Sequence, residues 1–295
     1  MTIYSDLADL LAKTASRVDV WTGTEYFQIE TGSPAALELA NTEIRKDGTP
    51  WGDRPLRNVY QYALMETKYT VEMARCIELL VRGERPAPGI EGLTRISLEA
   101  GSVVWWLLEE NLSARKRLSR MQLLRMNSAR ELAKSIAAVG ADPNVAGQET
   151  TANIEAECDL LGLTPFTQKG NELEGETRPS YTDRVKKFTD DIGYDGAYNI
   201  YSGVTHAELG GLWRLLQQTG SNISDRSPIY DARPDPQATL SAVNGALKVM
   251  MGCMERIVLH FGWPVVRSEE VGAFVDYLGS EIGSILSIVH ARNTD

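Results

Sequence analysis

The chain has 295 residues, of which 43% are hydrophobic and 24% charged, and a formal net charge of −10. That length and balance suit a globular protein able to bury a large core. The acidic charge argues against a broad grip on a phosphate backbone, so nucleic acid is disfavoured as a partner.

Helical periodicity dominates from the start. The spacing predicts a short helix over Ile3–Thr14, then a hairpin in VDVWTGTEYFQI turning at Thr22–Gly23, because β-branched and aromatic residues flank that turn. SPAALELANTEI reads as a short helix with Ser33 as N-cap and Pro34 in the first helical position. KDGTPWGDRP is a loop. A long helix follows over Leu56–Arg82, ended by GERPAPG, and another over Leu93–Glu110. Ser113 is placed to cap a third long helix running to Val139, with Gly140 at its C-terminal end. Further helices are expected at 149–161, Pro179–Phe188, around Tyr198, and at Gln237–Phe261 and Ser268–Ala291. The stretch 166–180 and the segment SNISDRSPIYDARPDP read as irregular. The fold class expected is all-α: a single multi-helix bundle over 1–295, with a small irregular N-terminal lobe at 1–54 and a helical core at 55–295.

Cys76, Cys158 and Cys253 are far apart and odd in number, with no CxxC pair, which argues against a disulfide framework or structural zinc. The longest purely apolar run, Val103–Leu108, is far short of a bilayer span, and MTIYSDLADLLAKTASR does not look like a secretion signal. A cytoplasmic protein with no membrane partner is expected.

Two helices carry the candidate chemistry. Arg95, Glu99, Ser102 and Trp106 share one stripe at i, i+4, i+7 and i+11, beside an apolar stripe of Ile96, Val103, Val104 and Leu107. A guanidinium there offers a forked anion clamp, and a carboxylate offers a base. The bland alternative is an ordinary surface ion pair. In YNIYSGVTHAELGGLW, Tyr198, Ser202 and His206 stack on one face, Tyr201 reaches the adjacent edge, and Trp213 follows further on. That cluster is either an acid–base site or a satisfied polar group in the core. Of the arginines between Arg115 and Arg130, which do not share a face, Arg120 or Arg125 is the one expected to turn inward. The expected site therefore has His206, Glu99 and Tyr201 as catalytic residues. Arg95, Trp106, Tyr198, Ser202, Trp213 and Arg120 would bind substrate. No metal site and no cofactor are expected: His206, His260 and His290 fall on three helices, and no HExxH, phosphate loop or GxSxG elbow occurs.

The segments RISLEAGSVVWWLLEENLSARKRLSR, AECDLLGLTP, RPSYTDRV and YNIYSGVTH resemble a group of uncharacterised actinobacterial helical proteins near the HEPN-like families. That resemblance implies an interaction or defence protein. The ribonucleases of the family use an Arg separated from a His by four to six intervening residues; here Asn199, Ile200 and Tyr201 stand where that arginine would be. The inventory of base and arginines is also similar to that of aziridine-forming accessory enzymes of azinomycin-type pathways. Those enzymes eliminate sulfate from an amino-acid-derived substrate during natural-product biosynthesis. The acidic DDIGYD stretch resembles the magnesium–diphosphate cluster of class I terpene cyclases, which makes a cyclase at Asp190, Asp191 and Asp195 a third reading. Gly193 and the absence of a second motif favour a helix-initiating acidic turn instead. The leading expectation is a small-molecule enzyme performing acid–base elimination or cyclisation with an anionic leaving group. It would act with or without a protein partner subunit or as a homo-oligomer. A non-catalytic HEPN-like protein is the alternative.

Overall fold

The computed structural model describes residues 2–23, 28–40, 43–85, 87–140, 150–206, 216–221, 228–232, 236–263 and 265–293. Helix α1 (Ile3–Trp21) is capped by the Thr2 hydroxyl, which accepts from Ser5 N. It runs a further two turns past Thr14, through the segment expected to form the first strand of a hairpin. Leu7, Leu11, Ala15, Val18 and Trp21 continue one buried helical face, and burial of that face against α3 outweighs the β-propensity of Val18 and Val20. Helix α2 (Pro34–Ala40) starts as expected, with Ser33 Oγ accepting from Ala36 N at 3.1 Å.

Helices α3 (Arg54–Arg82), α4 (Ala87–Leu107) and α5 (Ala114–Ala138) follow. Ser113 caps α5 by accepting from Lys116 N at 3.3 Å. Gly140 follows the helix end with φ +72°, a conformation that glycine adopts without strain. Helices α6 (Thr151–Leu160), α7 (Tyr181–Asp191), α8 (Ala197–Thr205), α9 (Pro236–Phe261) and α10 (Val265–Asn293) complete the all-α class. Two short antiparallel pairs depart from the irregular segments expected. β1 (Glu172–Leu173) pairs with β2 (Glu176–Thr177) across a turn in which Glu174 and Gly175 both have positive φ. β3 (Leu216–Ser221) pairs with β4 (Pro228–Ala232).

Helix α4 is the axis of the bundle. It is apolar over most of its circumference and touches α3, α9, α8, α7 and α5. Gly101 lets α9 and α7 approach it: a Cβ there would lie 2.7 Å from Val249 Cγ1 and 2.9 Å from Phe188 Cε1. Among the described residues no helix is long and apolar enough to cross a membrane.

A buried charge network ties α2 to the core. Arg117 is 1% exposed; its Nε donates to both oxygens of Glu38 at 2.9 and 3.0 Å, and its terminal nitrogens donate to the carbonyls of Leu107 and Glu109. The Tyr60 hydroxyl donates to Glu38 Oε2 at 2.7 Å. His260 lies against this network with Nε2 unpartnered and 3.8 Å from Glu38, too far for a hydrogen bond. Burial and then the Arg117 charge push its imidazole down from 6.5 to about 3. Between those values the unfolded chain binds the proton and the folded one does not, so stability falls as pH drops from 6.5 toward 3. The expected slope from this residue is about 1.4 kcal/mol per pH unit. His260→Phe keeps the aromatic contacts and removes that slope. Urea unfolding of both proteins between pH 7 and 5 checks it, and parallel profiles would contradict it.

Candidate functional site

The α4 row and the α8 cluster meet. Arg95 Nε donates to Glu99 Oε1 at 3.0 Å, Nη2 donates to the Tyr198 hydroxyl at 3.4 Å, and Nη1 lies 3.2 Å from His206 Nε2. The Tyr198 hydroxyl in turn donates to Glu99 Oε1 at 3.2 Å. A guanidinium only donates, so Nε2 is the accepting nitrogen of His206. The Arg95 side chain is mostly buried, and its plane approaches the Tyr198 ring at 5.3 Å. Desolvation works against the Arg95 charge, but Tyr198 and Glu99 outweigh it and hold the guanidinium above its usual range.

This circuit leaves Glu99 asymmetric. Oε1 takes both hydrogen bonds, and Oε2 takes none among the described residues. Glu99 also lines a cleft of about 290 Å³ enclosed by α3, α4, α5 and the start of α7. Ile96, Ala100 and Val103 contribute apolar lining from α4, and Tyr62, Glu66, Arg178, Tyr181 and Arg184 contribute polar lining. Burial pushes the Glu66 carboxyl above the ordinary carboxylate range, with the Tyr62 hydroxyl and Arg184 offsetting part of the effect. Ser102, the third member of the α4 row, accepts from Arg184 Nε at 2.9 Å and donates to the Glu99 carbonyl at 2.6 Å.

Of the residues expected at the site, Arg95, Glu99, Tyr198 and His206 come together, and the others do not. Tyr201 points away from them. It is 2% exposed and sits beside the Tyr194 hydroxyl and Ser241 Oγ, on the face that α8 turns to α9. Three residues of helix set the two tyrosines about 60° apart around α8, and their hydroxyls diverge, Tyr198 to Arg95 and Glu99 on α4 and Tyr201 to Ser241 on α9. Ser202 contributes its carbonyl to His206 N at 3.0 Å. Trp106 and Arg120 form a separate knot about one turn beyond Ser102 along α4. There Arg120 lies 5.0 Å over the Trp106 ring and donates to the Trp106 carbonyl, Glu109 and Glu176, each at 2.6 Å. Arg120 is spent on those acceptors and holds β2 and the end of α4 to α5. Trp213 lies outside the described residues.

The DDIGYD stretch ends a helix where it was expected to start one. Asp190 and Asp191 close α7, Gly193 turns the chain with φ +63°, and Lys248 Nζ donates to the Gly193 carbonyl at 2.5 Å, a cation at a helix C-terminus. Among the described residues no group of three or more His, Cys, Asp or Glu is placed to hold a metal ion.

Sequence reasoning missed Glu66, Arg178 and Arg184. The signal was present for Arg184, which interrupts the apolar row Tyr181, Val185 and Phe188 at helical spacing. It was present for Glu66 too, which falls beside Ala63, Thr67 and Thr70 on the buried face of α3. No family model matches the chain, and neither a curated protein nor a solved structure matches it.

Proposed function

We propose that the protein is a small-molecule enzyme of the elimination or cyclisation type, with Glu99 as base and Glu66 as acid. The observation behind this reading is the asymmetry of Glu99: one oxygen is fixed by Arg95 and Tyr198, and the other is unbonded on a residue that borders a cleft. Arg95 and Tyr198 orient the base, and His206 steadies Arg95 from the far side. Arg95 is thus a positioning residue, and the anion-clamp role falls to the arginines of the cleft.

In the step, Glu99 takes an N–H or C–H proton from the substrate. The electron pair so released forms a C–N or C=C bond while the C–O bond to a sulfate or phosphate group breaks. Glu66, held toward its neutral form by burial, gives its proton to the departing oxygen. Solvent then removes the proton from Glu99 and restores that of Glu66.

Release of inorganic sulfate or phosphate from a panel of β-sulfated and β-phosphorylated amino and hydroxy acids tests the reading. Release by the wild type, with a bell-shaped pH profile whose alkaline limb disappears in Glu66→Gln, is expected. Absence of release across the panel would contradict it.

A second reading, a non-catalytic interaction protein, is favoured by one feature. A groove of about 630 Å³ between α9 and α10 is bordered by Leu259 and Val275, which are 48% and 44% exposed.

A further inference from the structure

The cleft beside Glu99 holds more positive charge than its own carboxyls neutralise. Arg184 is 5% exposed, and its one hydrogen bond among the described residues runs from Nε to Ser102. Among the described residues, therefore, neither terminal nitrogen has an acceptor and no carboxylate lies within ion-pair distance. Arg178, half-buried on the same wall, makes no side-chain hydrogen bond or ion pair among the described residues. Glu99 is already matched by Arg95. Glu66 is the remaining carboxyl, and burial favours its uncharged form. Burial of Arg184, with Arg178 nearby as a like charge, holds that guanidinium below the usual arginine range despite Tyr181 and Glu66.

An unpaired buried charge is costly, and most buried arginines in this protein show how the cost is normally met. Arg117 and Arg120 each end on a carboxylate and a backbone carbonyl. Arg184 is instead held rigidly at Nε by a neutral hydroxyl, stacked 5.3 Å from the Tyr181 ring, and left with its outer edge toward a cavity. That edge, two N–H groups side by side, matches the two oxygens of a planar carboxylate. The remaining lining is mixed: Ile96, Val103, Leu124 and Tyr69 offer apolar or aromatic surface, and Asn127 and Ser128 offer polar groups. The volume, about 290 Å³, lies at the small end of ligand pockets.

We propose that this cleft recognises the carboxylate of a small monocarboxylic acid, through the paired terminal nitrogens of Arg184 assisted by Arg178, with Tyr69, Ile96, Val103 and Leu124 available to an apolar part of the ligand and Asn127 and Ser128 to a polar one. The site names the substrate class for the proposed enzyme and rests on that reading only in making Glu99 the reacting group; the binding itself stands apart from catalysis.

Sodium benzoate is the probe, titrated calorimetrically into the full chain, with sodium chloride, phosphate and sulfate at matched ionic strength as comparisons. Saturable benzoate binding is expected, weakened about 10- to 100-fold in Arg184→Gln by loss of a charged hydrogen-bonded pair. A several-fold weakening is expected in Arg178→Gln. Glu99→Gln should bind benzoate at least as tightly as the wild type. Should Arg184→Gln fail to fold by circular dichroism, Arg178→Gln carries the comparison alone, and unchanged affinity there overturns the site. Equal affinity of wild type and folded Arg184→Gln, or no saturable binding by the wild type, also overturns it. Preferential binding of phosphate or sulfate overturns the carboxylate assignment. Intact benzoate binding without turnover on any substrate ends the catalytic reading and leaves this site standing.

Discussion

Replacing Glu99 with Gln is expected to lower turnover about 10²- to 10⁴-fold, the usual worth of a positioned proton-transfer group. The amide keeps the shape of the carboxylate and one acceptor for Arg95 and Tyr198, so circular dichroism and stability should stay near wild type. The Arg95–Glu99 pair is partly buried, but the amide oxygen still accepts from Arg95 and Tyr198, so the cost should be on the order of 1 kcal/mol. Tyr198→Phe removes one of the two bonds that fix Oε1 and leaves the base in place, so its effect should be smaller. Because the carboxylate it frees keeps Arg95, kcat should fall more than KM rises. His206→Ala acts one bond further out and should reduce turnover least of the three. Equal losses in all three variants would point to a structural cluster in place of a catalytic one.

Arg117→Met is expected to cost about 3–5 kcal/mol of folding stability, the range seen when one partner of a buried pair is removed. The methionine fills much of the space but removes every donor that meets Glu38 and the carbonyls of Leu107 and Glu109. Glu38 would then keep only the Tyr60 hydroxyl. The loss should appear as a lower urea midpoint with an unchanged slope, since the same surface is exposed on unfolding. Restoring balance with Glu38→Leu in the Arg117→Met background should recover part of it, because two apolar side chains leave no buried charge behind. A cost under about 1 kcal/mol would mean that the pair is solvated, against its burial.

Much of the bundle was legible because amphipathic spacing and end signals agree. Ser33, Ser113 and Gly140 mark helix boundaries that the coordinates reproduce, and the α4 row was visible as i, i+4, i+7, i+11. The Arg95–Glu99 pair follows from that spacing alone. Its meeting with Tyr198 and His206, more than a hundred residues away, depends on how α8 rotates against α4. A short helix with tyrosines three apart does not disclose that rotation, which turns the Tyr201 hydroxyl toward Ser241 on α9 and not to the edge of the Arg95 cluster. α1 was cut short because Val18, Val20 and Trp21 carry strand propensity, although the apolar period continues through them. The cleft was hidden for another reason. Glu66, Arg184 and Ser102 come from three helices, and each looks like an isolated polar intruder on an apolar face until packing joins them.

In the elimination form of the proposed reaction, Glu99 lifts a C–H proton from a carboxylate-bearing substrate held in the Arg184 cleft. Proton NMR in deuterium oxide reads that step directly, through exchange of the substrate hydrogen adjacent to the reacting carbon, in an unreactive analogue lacking the leaving group. Wild-type protein should wash deuterium into that position, and Glu99→Gln should not. Exchange at the same rate in both proteins, or in neither, would contradict the account.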